Sequence, residues 1–360
     1  MPFPAAAIVR KLSKWYATAA RDLPWRRTKD PYKIWISEVI LQQTRVDQGL
    51  DYYLRFTDSF PSILDLAASD EDRVLHLWQG LGYYSRARNL HAAAKIVATQ
   101  YGGVFPTNHD DIRALPGIGD YTAAAISAFA YGESYPAVDG NLLRVLSRLT
   151  ASDLPIDTLQ GKRFLSEYAQ QLVDAGAPST VNQSLMELGA LVCVPRQPKC
   201  EICPINKECQ VAFLPLAEQL PVKSKKNKIR HRYLYYLLLI DANNRMAIHK
   251  RQEKDIWQGL NELLLVEREK PVDIGDINHL FDFSFSGEHP LELSFCSHHE
   301  HQLSHQKLHI TFFAASYASS IEASFSRKDI KIIPTETHNQ YAFPIVIRKF
   351  LDRYFSTPNI

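Results

Sequence analysis

The chain has 360 residues, with 41 basic and 39 acidic side chains and a formal net charge of +2. A charge this close to zero excludes a polybasic tail protein and an acidic solvating chain, although basic residues can still be concentrated locally. With 46% hydrophobic and 22% charged residues the composition is that of a globular protein, and the length predicts two domains.

The sequence predicts neither a membrane span nor a secretion signal. The longest apolar run, Tyr233 to Ile240, has the length of a strand rather than the ~18 residues of a membrane helix. The apolar stretch 5–9 is too short for a signal-peptide core, and Arg10 and Lys11 follow it directly. We therefore expect a cytoplasmic protein, in which five cysteines are too few for a disulfide framework.

Residues 1 to about 212 are predicted to be helical. Asp30 and Pro31 are typical of a helix start, a capping residue followed by a first-turn proline, and a helical period then continues to about Phe56. Short Gly, Pro and Asn signals separate the later helices. These are predicted at about 70–78, 85–100, 120–131, 141–149, 158–174 and 178–191.

One carboxylate in the first of these helices has an unusual setting. Glu38 lies four residues after Ile34 and three before Leu41, so it shares the apolar stripe of its helix. Burial there would raise the pKa of the carboxyl group and favour a proton donor near neutral pH. The alternative is a glutamate at the edge of the stripe with its terminal atoms in solvent, and periodicity alone favours that alternative.

A glycine-rich turn separates two of the predicted helices. In Leu115-Pro-Gly-Ile-Gly119, two glycines would let the backbone approach a partner closely, and free amides at the start of the next helix can bind a phosphate. A tight turn between two helices is the simpler explanation. With small residues at 123–125 behind it, the pattern resembles the helix-hairpin-helix of DNA repair proteins, which holds the phosphodiester backbone without reading sequence.

A second carboxylate, Asp139, precedes the helical run that begins at Leu142. Capping of this helix by Asp139 or Asn141 is the simpler explanation. At a helix N-terminus Asp139 would also stay ionised, because the helix dipole favours its charge. A neutral acid and an ionised carboxylate are the pair that glycosidic cleavage requires, but no spacing rule brings Asp139 and Glu38 together.

Four cysteines lie within 17 residues with the spacing C-x6-C-x2-C-x5-C. Four thiolates this close suit a zinc ion or an iron–sulfur cluster. Zinc sites usually repeat the C-x2-C pair and only one pair occurs here, so the spacing favours an iron–sulfur cluster. The predicted ligands are Cys193, Cys200, Cys203 and Cys209, whereas Cys296 stands apart and is predicted to be a core residue.

The composition changes at about residue 213. Residues 213–232 combine prolines with six basic side chains and are predicted to be a linker that does not pack. Beyond it, strands are predicted at 233–240 and 245–250 around the hairpin signal 241–244, and also at 291–296 and 307–317. A closing helix is predicted at 343–355, so residues 233–360 form an α+β domain. Five histidines lie within 298–309, where DNA contact or solvent exposure is favoured over a metal site because no other ligand completes the set.

Together these residues resemble the iron–sulfur, helix-hairpin-helix DNA glycosylases over most of residues 20–212, and within them the MutY-type adenine DNA glycosylases. The likeness rests on 35–45, 80–89 and 138–141 and on the cysteine spacing. It implies a mainly α fold: a two-lobed catalytic domain at 1–212, with its helix-hairpin-helix at 111–131 and a [4Fe-4S] loop at 193–209. The segment 254–261 resembles the loop of that family's Nudix-like C-terminal domain, and because the Nudix hydrolase box is absent this domain should bind rather than hydrolyse.

The resemblance also implies a function. It is that of a monofunctional glycosylase of base excision repair, which removes adenine paired with 8-oxoguanine or guanine in double-stranded DNA. Tyr121 stands where endonuclease III-type relatives carry a Schiff-base lysine, so no lyase step is expected. A monomer is expected, since a duplex clamped between two domains needs no second subunit, and in a bacterium the protein would be associated with the nucleoid in the cytoplasm. The alternatives are a related glycosylase for thymine in G:T mismatches and a non-catalytic iron–sulfur protein that binds DNA.

By position, the family's catalytic roles fall on two carboxylates. Glu38 would protonate position 7 of adenine, and Asp139 would stabilise the oxocarbenium ion or capture the sugar before water attacks. The residues that would shape the pocket for the flipped base are Asn141, Tyr121 and Glu187.

The family's DNA contacts fall on further positions. Gln43 and Tyr83 would fill the duplex beside the lesion. Leu303, Ser304 and His305 fall where the family has a Phe-Ser-His loop that senses 8-oxoguanine, and leucine replaces its aromatic residue. Independently of the likeness, phosphate contacts are expected from the basic segment 213–232, from the hairpin amides at Gly117 and Gly119, and from side chains such as Arg45, Arg86 and Arg88.

Overall fold

The computed structural model describes residues 3–224, 229–272, 280–281, 292–303, 305–318, 320–321 and 329–356. Contacts between Cα atoms divide the chain into two units. The first unit comprises Met1–Ala68 and Asn89–Lys226, and the second comprises Ser69–Arg88 and Asn227–Ile360. Residues 69–88 therefore group with the C-terminal part, whereas the division of the sequence at 213–232, which stays a prediction, assigns them to the first domain.

Helices occupy most of the chain before residue 220. They are α1 (Ala5–Ala19), α2 (Pro31–Leu41), α3 (Val46–Ser59), α4 (Ile63–Ala68), α5 (Glu71–Leu77), α6 (Ser85–Gln100), α7 (His109–Ala114), α8 (Asp120–Ile126), α9 (Gly140–Leu149), α10 (Leu159–Asp174), α11 (Pro178–Leu191) and α12 (Leu216–Gln219). A π-helical turn, Ser127–Tyr131, continues α8. The mainly helical first part is thus confirmed.

The helix predicted from 31 to 56 is wrong in one respect, because it is two helices. Asp30 caps α2 by accepting the amide of Tyr32, as the sequence predicts. The chain then leaves the helix at Gln42, and Gln43 has a φ of 59°, so that α3 starts only at Val46. Helix α1 carries no strong start signal and is not predicted from the sequence; it packs on α10 and α11 through buried Ile8 and Leu12.

Helices α2 and α9 are largely buried in the first unit. Helices α1, α9, α10 and α11 share one cluster of buried aliphatic side chains. Helix α2 is buried on every side, from Ile34 to Ile40, rather than along one stripe. A polar side chain on α2 is therefore enclosed by protein whichever way it points.

The second unit is built on one seven-stranded sheet. The strands are β1 (Arg230–Asp241), β2 (Arg245–Lys250), β3 (Asn261–Glu262), β4 (Leu264–Arg268), β5 (Ser294–Gln302), β6 (Gln306–Tyr317) and β7 (Ile330–Pro334), and helix α13 (Ile345–Ser356) closes the chain. The order is β3-β2-β1-β6-β5, with β4 also on β1 and β7 on β2. Strand β1 runs parallel to β6, with Tyr233 opposite His309, and the other pairs are antiparallel.

The two faces of this sheet carry separate cores. On one face Leu234, Tyr236 and Leu238 pack with Ile347 and Phe350 of α13. On the other, Leu237 and Leu239 pack with Phe281. Strand β1 is therefore apolar on both faces, which is why its sequence reads as a continuous hydrophobic run.

The predicted elements of the second domain are largely confirmed. The β1–β2 hairpin turns at 241–244 with Ile240 opposite Met246, and α13 lies within two residues of the predicted helix. The strand predicted at 291–296 is observed as Ser294–Gln302, and Leu291 lies outside the described residues. Cys296 is half-buried at the margin of the core rather than inside it.

The prediction that 213–232 does not pack is wrong at both of its ends. Ala217 and Leu220 are buried with Val211. Arg232 lies in β1, only 5% exposed, with its guanidinium paired to Asp255 and Glu267. Residues 225–228 lie outside the described part of the chain. In that part, no helix is long and apolar enough to cross a membrane.

Candidate active site

A cavity of about 770 Å³ in the first unit gathers most of the predicted catalytic and pocket residues. Glu38 comes from α2, Tyr121 from α8 and Glu187 from α11, and the start of α9 adds two more side chains. The predicted residues that line it are Glu38, Gln43, Tyr121, Asp139, Asn141 and Glu187. The tertiary structure thus joins the two carboxylates that no sequence spacing connects.

Glu38 is 7% exposed, so the alternative of a glutamate reaching solvent from the helix edge is wrong. Burial raises the pKa of its carboxyl group to about 7; the hydrogen bond from Tyr121 opposes this rise and the charge of Asp139 adds to it. The Tyr121 hydroxyl donates to Glu38 Oε2 at 2.5 Å. Glu38 can therefore hold or release a proton near neutral pH.

Asp139 both caps a helix and lines the cavity. Its Oδ1 accepts the amide of Leu142 at 2.7 Å, and its Oδ2 accepts the Asn141 side-chain amide at 2.9 Å. Burial raises the pKa of Asp139, while these hydrogen bonds oppose the rise. The sequence argument from the helix dipole predicts the opposite direction, because it leaves out the loss of water around a half-buried carboxylate.

Arg144 connects this capped helix start to the cysteine loop. Its Nη2 donates to Asn141 Oδ1 at 2.9 Å and to the Gly189 carbonyl at 2.8 Å. Its Nε donates to the Cys193 carbonyl at 2.8 Å. One guanidinium group thereby fixes Asn141, which in turn holds the Asp139 carboxylate.

Two arginines of the pocket, Arg21 and Arg26, are missed by the sequence reasoning. Arg21 donates to both carboxylate oxygens of Glu187, each at 2.8 Å, and Arg26 donates to Oε2 at 2.7 Å. Burial would raise the pKa of Glu187, but these hydrogen bonds outweigh it and lower the pKa to about 2. No spacing signal links residues 21 and 26 to residue 187, so only the packing of the N-terminal segment on α11 could identify them.

The glycine-rich turn joins α7 and α8 as a helix-hairpin-helix. Gly117 has a φ of 76°, and a Cβ there would lie 2.6 Å from that of Asn89, so both backbone conformation and packing require glycine. A Cβ at Gly119 would meet nothing within 4 Å. Arg45, at the start of α3, is exposed. The backbone near Gly119 and this side chain remain open to a partner.

The four cysteines line a common space of about 30 Å³. Arg148, 2% exposed, holds this loop by donating to the carbonyls of Val194 at 2.7 Å and Pro195 at 2.8 Å and to Cys193 Sγ at 3.3 Å. In the described residues, no three His, Cys, Asp or Glu side chains are close enough to share one metal ion. Four cysteines that line one space can supply one thiolate to each iron of a four-iron cluster, so the donor set fits that group.

A second cavity, of about 400 Å³, lies within the second unit. It is lined by Tyr83, Leu303 and His305 from the predicted DNA contacts and also by Trp257. Ser304 lies outside the described residues.

Arg86 and Arg88 are engaged by the protein rather than free for phosphate, contrary to expectation. Arg86 donates to the carbonyl of Gly82 at 3.1 Å, and its guanidinium carbon lies 5.3 Å from the Trp78 ring centre. Arg88 donates to the side chain of Gln258 at 3.1 Å and also to its carbonyl. Both arginines therefore hold the segment that carries Tyr83.

The histidines of 298–309 contact one another and neighbouring side chains. His309 lies between His231, at 2.9 Å between ring nitrogens, and Glu300, at 3.4 Å. His298 contacts the hydroxyl of Thr311 at 3.0 Å. These contacts do not test the roles expected of the histidines, which stay a prediction.

Comparisons with known proteins agree with both units. The model of the HhH-GPD superfamily of base excision DNA repair proteins matches residues 36–171, and that of the NUDIX domain matches residues 235–353. An adenine DNA glycosylase of Buchnera aphidicola subsp. Baizongia pistaciae is 35% identical over 76% of this chain and 81% of its own length. One of Rattus norvegicus is 42% identical over 57% of this chain and 41% of its own length. The solved structure of a thermostable thymine-DNA glycosylase is 32% identical, with a TM-score of 0.53, over 57% of this chain and 95% of that one.

Proposed function

We propose, from the premise that this chain belongs to the adenine DNA glycosylase family, that it hydrolyses the bond between adenine and deoxyribose where adenine is mispaired with 8-oxoguanine or guanine. The chain is a DNA N-glycosylase of base excision repair. The observation that carries the proposal is Glu38, a buried carboxyl group with a pKa near 7 that shares one cavity with Asp139.

In the proposed reaction each of these residues has a chemical task. Glu38 donates its proton to position 7 of the flipped adenine, which then leaves with the electron pair of the glycosidic bond. Asp139 stabilises the positive charge on the sugar or bonds to it transiently. Water then attacks the sugar carbon, displacing Asp139 where that bond has formed; the hydroxyl group of the water stays on the abasic product and its other proton returns to the Glu38 carboxylate. Tyr121 keeps its own proton, since burial raises its pKa well above the ordinary value, and orients Glu38.

Glu187, held by hydrogen bonds from Arg21 and Arg26, forms one polar side of the pocket. The charges of Arg21 and Arg26 hold Glu187 ionised at neutral pH, so it accepts hydrogen bonds and donates none. An ionised carboxylate favours a base that presents an amino group, as adenine does, over one that presents only carbonyl oxygens at that point.

We also propose that Cys193, Cys200, Cys203 and Cys209 hold a [4Fe-4S] cluster. Its iron–thiolate bonds would stabilise the loop that Arg144 and Arg148 tie to α9. About four iron atoms per chain in the purified protein would support the cluster, and one zinc per chain would contradict it.

The central test uses three duplexes, containing A opposite 8-oxoguanine, A opposite G, and T opposite G. We expect base release from both adenine duplexes, seen as a strand break at the adenine only after alkali, and none from the thymine duplex. Release of thymine instead would support the alternative specificity, which the likeness to a thymine-DNA glycosylase structure makes worth measuring. No release from any duplex by iron-loaded protein would favour a non-catalytic DNA-binding role.

The same gel tests whether the enzyme is monofunctional. Among the described residues that line the catalytic cavity, the side-chain amine is that of Lys223. Strand breakage without alkali would show a lyase step and would identify this lysine as the first candidate for a Schiff base. We propose a monomer in the cytoplasm, and the molar mass in solution with and without duplex tests the monomer.

A further inference from the structure

Two large aromatic residues in the cavity of the second unit hold an uncommon backbone conformation. Tyr83 has a φ of 47° and Trp257 a φ of 61°, in the left-handed region that bulky side chains rarely adopt. Such conformations persist only where the surrounding structure enforces them, and they are concentrated at ligand-binding sites. Their occurrence twice in one cavity points to a ligand that needs both rings in place.

The loop of Trp257 is held by short backbone hydrogen bonds. The Leu260 amide donates to the carbonyl of Trp257 at 3.0 Å, and the Gly259 amide donates to that of Arg251 at 2.8 Å. At the front of the loop, Asp255 is paired with the guanidinium of Arg232 at 2.6 Å. The ring of Trp257 is half-buried, 6.1 Å from the ring of His301. The backbone that carries Trp257 is therefore ordered before any ligand arrives, which lowers the entropic cost of binding.

The chemistry of the cavity suits a nucleobase. The lining combines the aromatic faces of Tyr83 and Trp257 with the polar side chains of His305 and Gln306. Tyr84, the other tyrosine of the described lining, is 5% exposed and its hydroxyl accepts the amide of Gly80, so it offers little free surface. Leu303 is aliphatic and cannot stack on a base. The largest aromatic faces left for stacking are therefore those of Tyr83 and Trp257, since the imidazole rings of His301 and His305, which also line the cavity, are smaller.

We propose that Trp257 provides the aromatic surface on which the oxidised guanine opposite the excised adenine stacks, the part that Leu303 cannot play in this chain. Tyr83 is 51% exposed, and its expected position in the duplex beside the lesion is unchanged by this proposal. The inference rests on the proposed function, because it takes the lesion base from that substrate. It makes Trp257 a specificity-determining residue for the opposite base and gives it no part in bond cleavage.

The test measures binding without chemistry. The probes are two fluorescent duplexes with a tetrahydrofuran abasic analogue opposite 8-oxoguanine or opposite guanine, and the readout is the ratio of their dissociation constants. We expect the wild type to prefer the 8-oxoguanine duplex. Only the oxidised guanine is placed on the ring, so Trp257→Leu should weaken binding of the 8-oxoguanine duplex by about tenfold, a loss within the range for base–aromatic stacking, and leave binding of the guanine duplex unchanged. Trp257→Phe, which keeps an aromatic face, should retain most of the preference.

The matched control is Tyr354→Leu, since Tyr354 is half-buried, packs against the same core and is not among the described lining residues. It should keep the wild-type ratio. Adding Leu303→Phe to Trp257→Leu should restore part of the preference, because an aromatic ring returns to the cavity.

Two results would overturn the inference: an equal ratio for Trp257→Leu and wild type, or equal binding of both duplexes by the wild type. Failure of the proposed function would be seen separately, as no release of adenine by the wild type. The binding ratio needs no adenine in the duplex, so the two failures are distinguishable. If Trp257→Leu does not fold, Trp257→Met, which fills a larger volume without an aromatic face, replaces it in the same measurement and should show the same loss of preference.

Discussion

Burial raises the pKa of Glu38, and the hydrogen bond that Tyr121 donates to its carboxylate lowers that pKa. This balance places the pKa near 7 rather than at a value where the carboxyl group would never ionise. A general acid works best when its pKa is close to the working pH, because both protonation states then remain accessible. The motif around Glu38 identifies the residue in the sequence, but its pKa follows from its burial and from two side chains distant in sequence, Tyr121 and Asp139.

The pH dependence of catalysis follows from this pKa. The protonated form is the proton donor, so the rate constant for adenine release by the wild type should fall as pH rises above about 7. Glu38→Gln, which carries no acidic proton, should release adenine about 10²- to 10⁴-fold more slowly and lose this limb of the profile. Single-turnover assays between pH 6 and pH 9 provide the measurement. Equal rates for the two proteins would remove Glu38 from the mechanism.

The same group should make the folded state less stable at high pH. Its pKa is raised from 4.5 to about 7, so the native state binds the proton more tightly than the unfolded state does. The contribution of Glu38 to the unfolding free energy, about 3 kcal/mol at most, is then fully present below pH 4.5 and is lost as pH rises through 7. Glu38→Gln lacks this loss. Urea unfolding at pH 5.5 and pH 8.5 gives the unfolding free energy of the variant minus that of the wild type. This difference should be larger at pH 8.5, and an equal difference at both pH values would contradict the assignment.

At the scale of elements, α9 and the cysteine loop form one structural assembly. Asp139 and Asn141 lie at the start of α9, and two buried arginines on the same helix hold the loop at 193–209. Arg148 donates to the carbonyls of Val194, Pro195 and Leu220, which have no regular secondary structure to satisfy them. The sequence indicates the cysteines, but not that α9 carries both the loop and the catalytic carboxylate.

Arg148→Met should therefore release the cysteine loop. A buried carbonyl group left without a donor costs about 1–3 kcal/mol. Of the three carbonyls only that of Leu220 is buried, whereas Val194 and Pro195 are partly exposed and water can replace the arginine there, so the unfolding free energy should fall by about 1–3 kcal/mol. Iron content and the denaturant midpoint should fall together. The control is Arg196→Met in the same loop, since Arg196 is exposed and its replacement should change neither quantity. Full iron content in Arg148→Met would show that the thiolates hold the loop without the arginine.

At the scale of the whole molecule, the net charge of +2 hides an uneven distribution. Residues 1–212 hold 22 basic and 22 acidic side chains, whereas 213–232 hold six basic and one acidic. The structure reduces the free positive charge further, because Arg232 is paired with acidic residues and Arg86 and Arg88 hold neighbouring protein groups. We therefore expect few phosphate contacts and a DNA affinity that depends on pocket filling more than on charge.

Salt dependence measures the number of those contacts. The logarithm of the DNA association constant should fall with the logarithm of salt concentration with a shallow slope. Arg45→Gln should reduce the slope by about 1, because one phosphate contact is lost. Arg163→Gln is the matched control, since Arg163 is 82% exposed on α10 and contacts Glu167 at 3.4 Å. A slope unchanged by Arg45→Gln would place Arg45 away from the phosphates.

The sequence by itself determined the local chemistry and the order of the elements. Apolar periodicity located most helices of 1–212, alternation located the β1–β2 hairpin, and spacing selected the four cysteines, because each of these signals lies within a few neighbouring residues. Motif likeness then selected Glu38, Asp139 and Tyr121.

Only the tertiary structure decided which of these residues meet. It joined Glu38 to Asp139 in one cavity, added Arg21 and Arg26 to Glu187, and grouped residues 69–88 with the C-terminal sheet. It also reversed the expected direction of the Asp139 pKa and placed Trp257 beside Leu303. The physical reason is the same in each case. Burial and contact between residues far apart in sequence depend on how helices and strands pack, and the local periodicity of the sequence does not determine that packing.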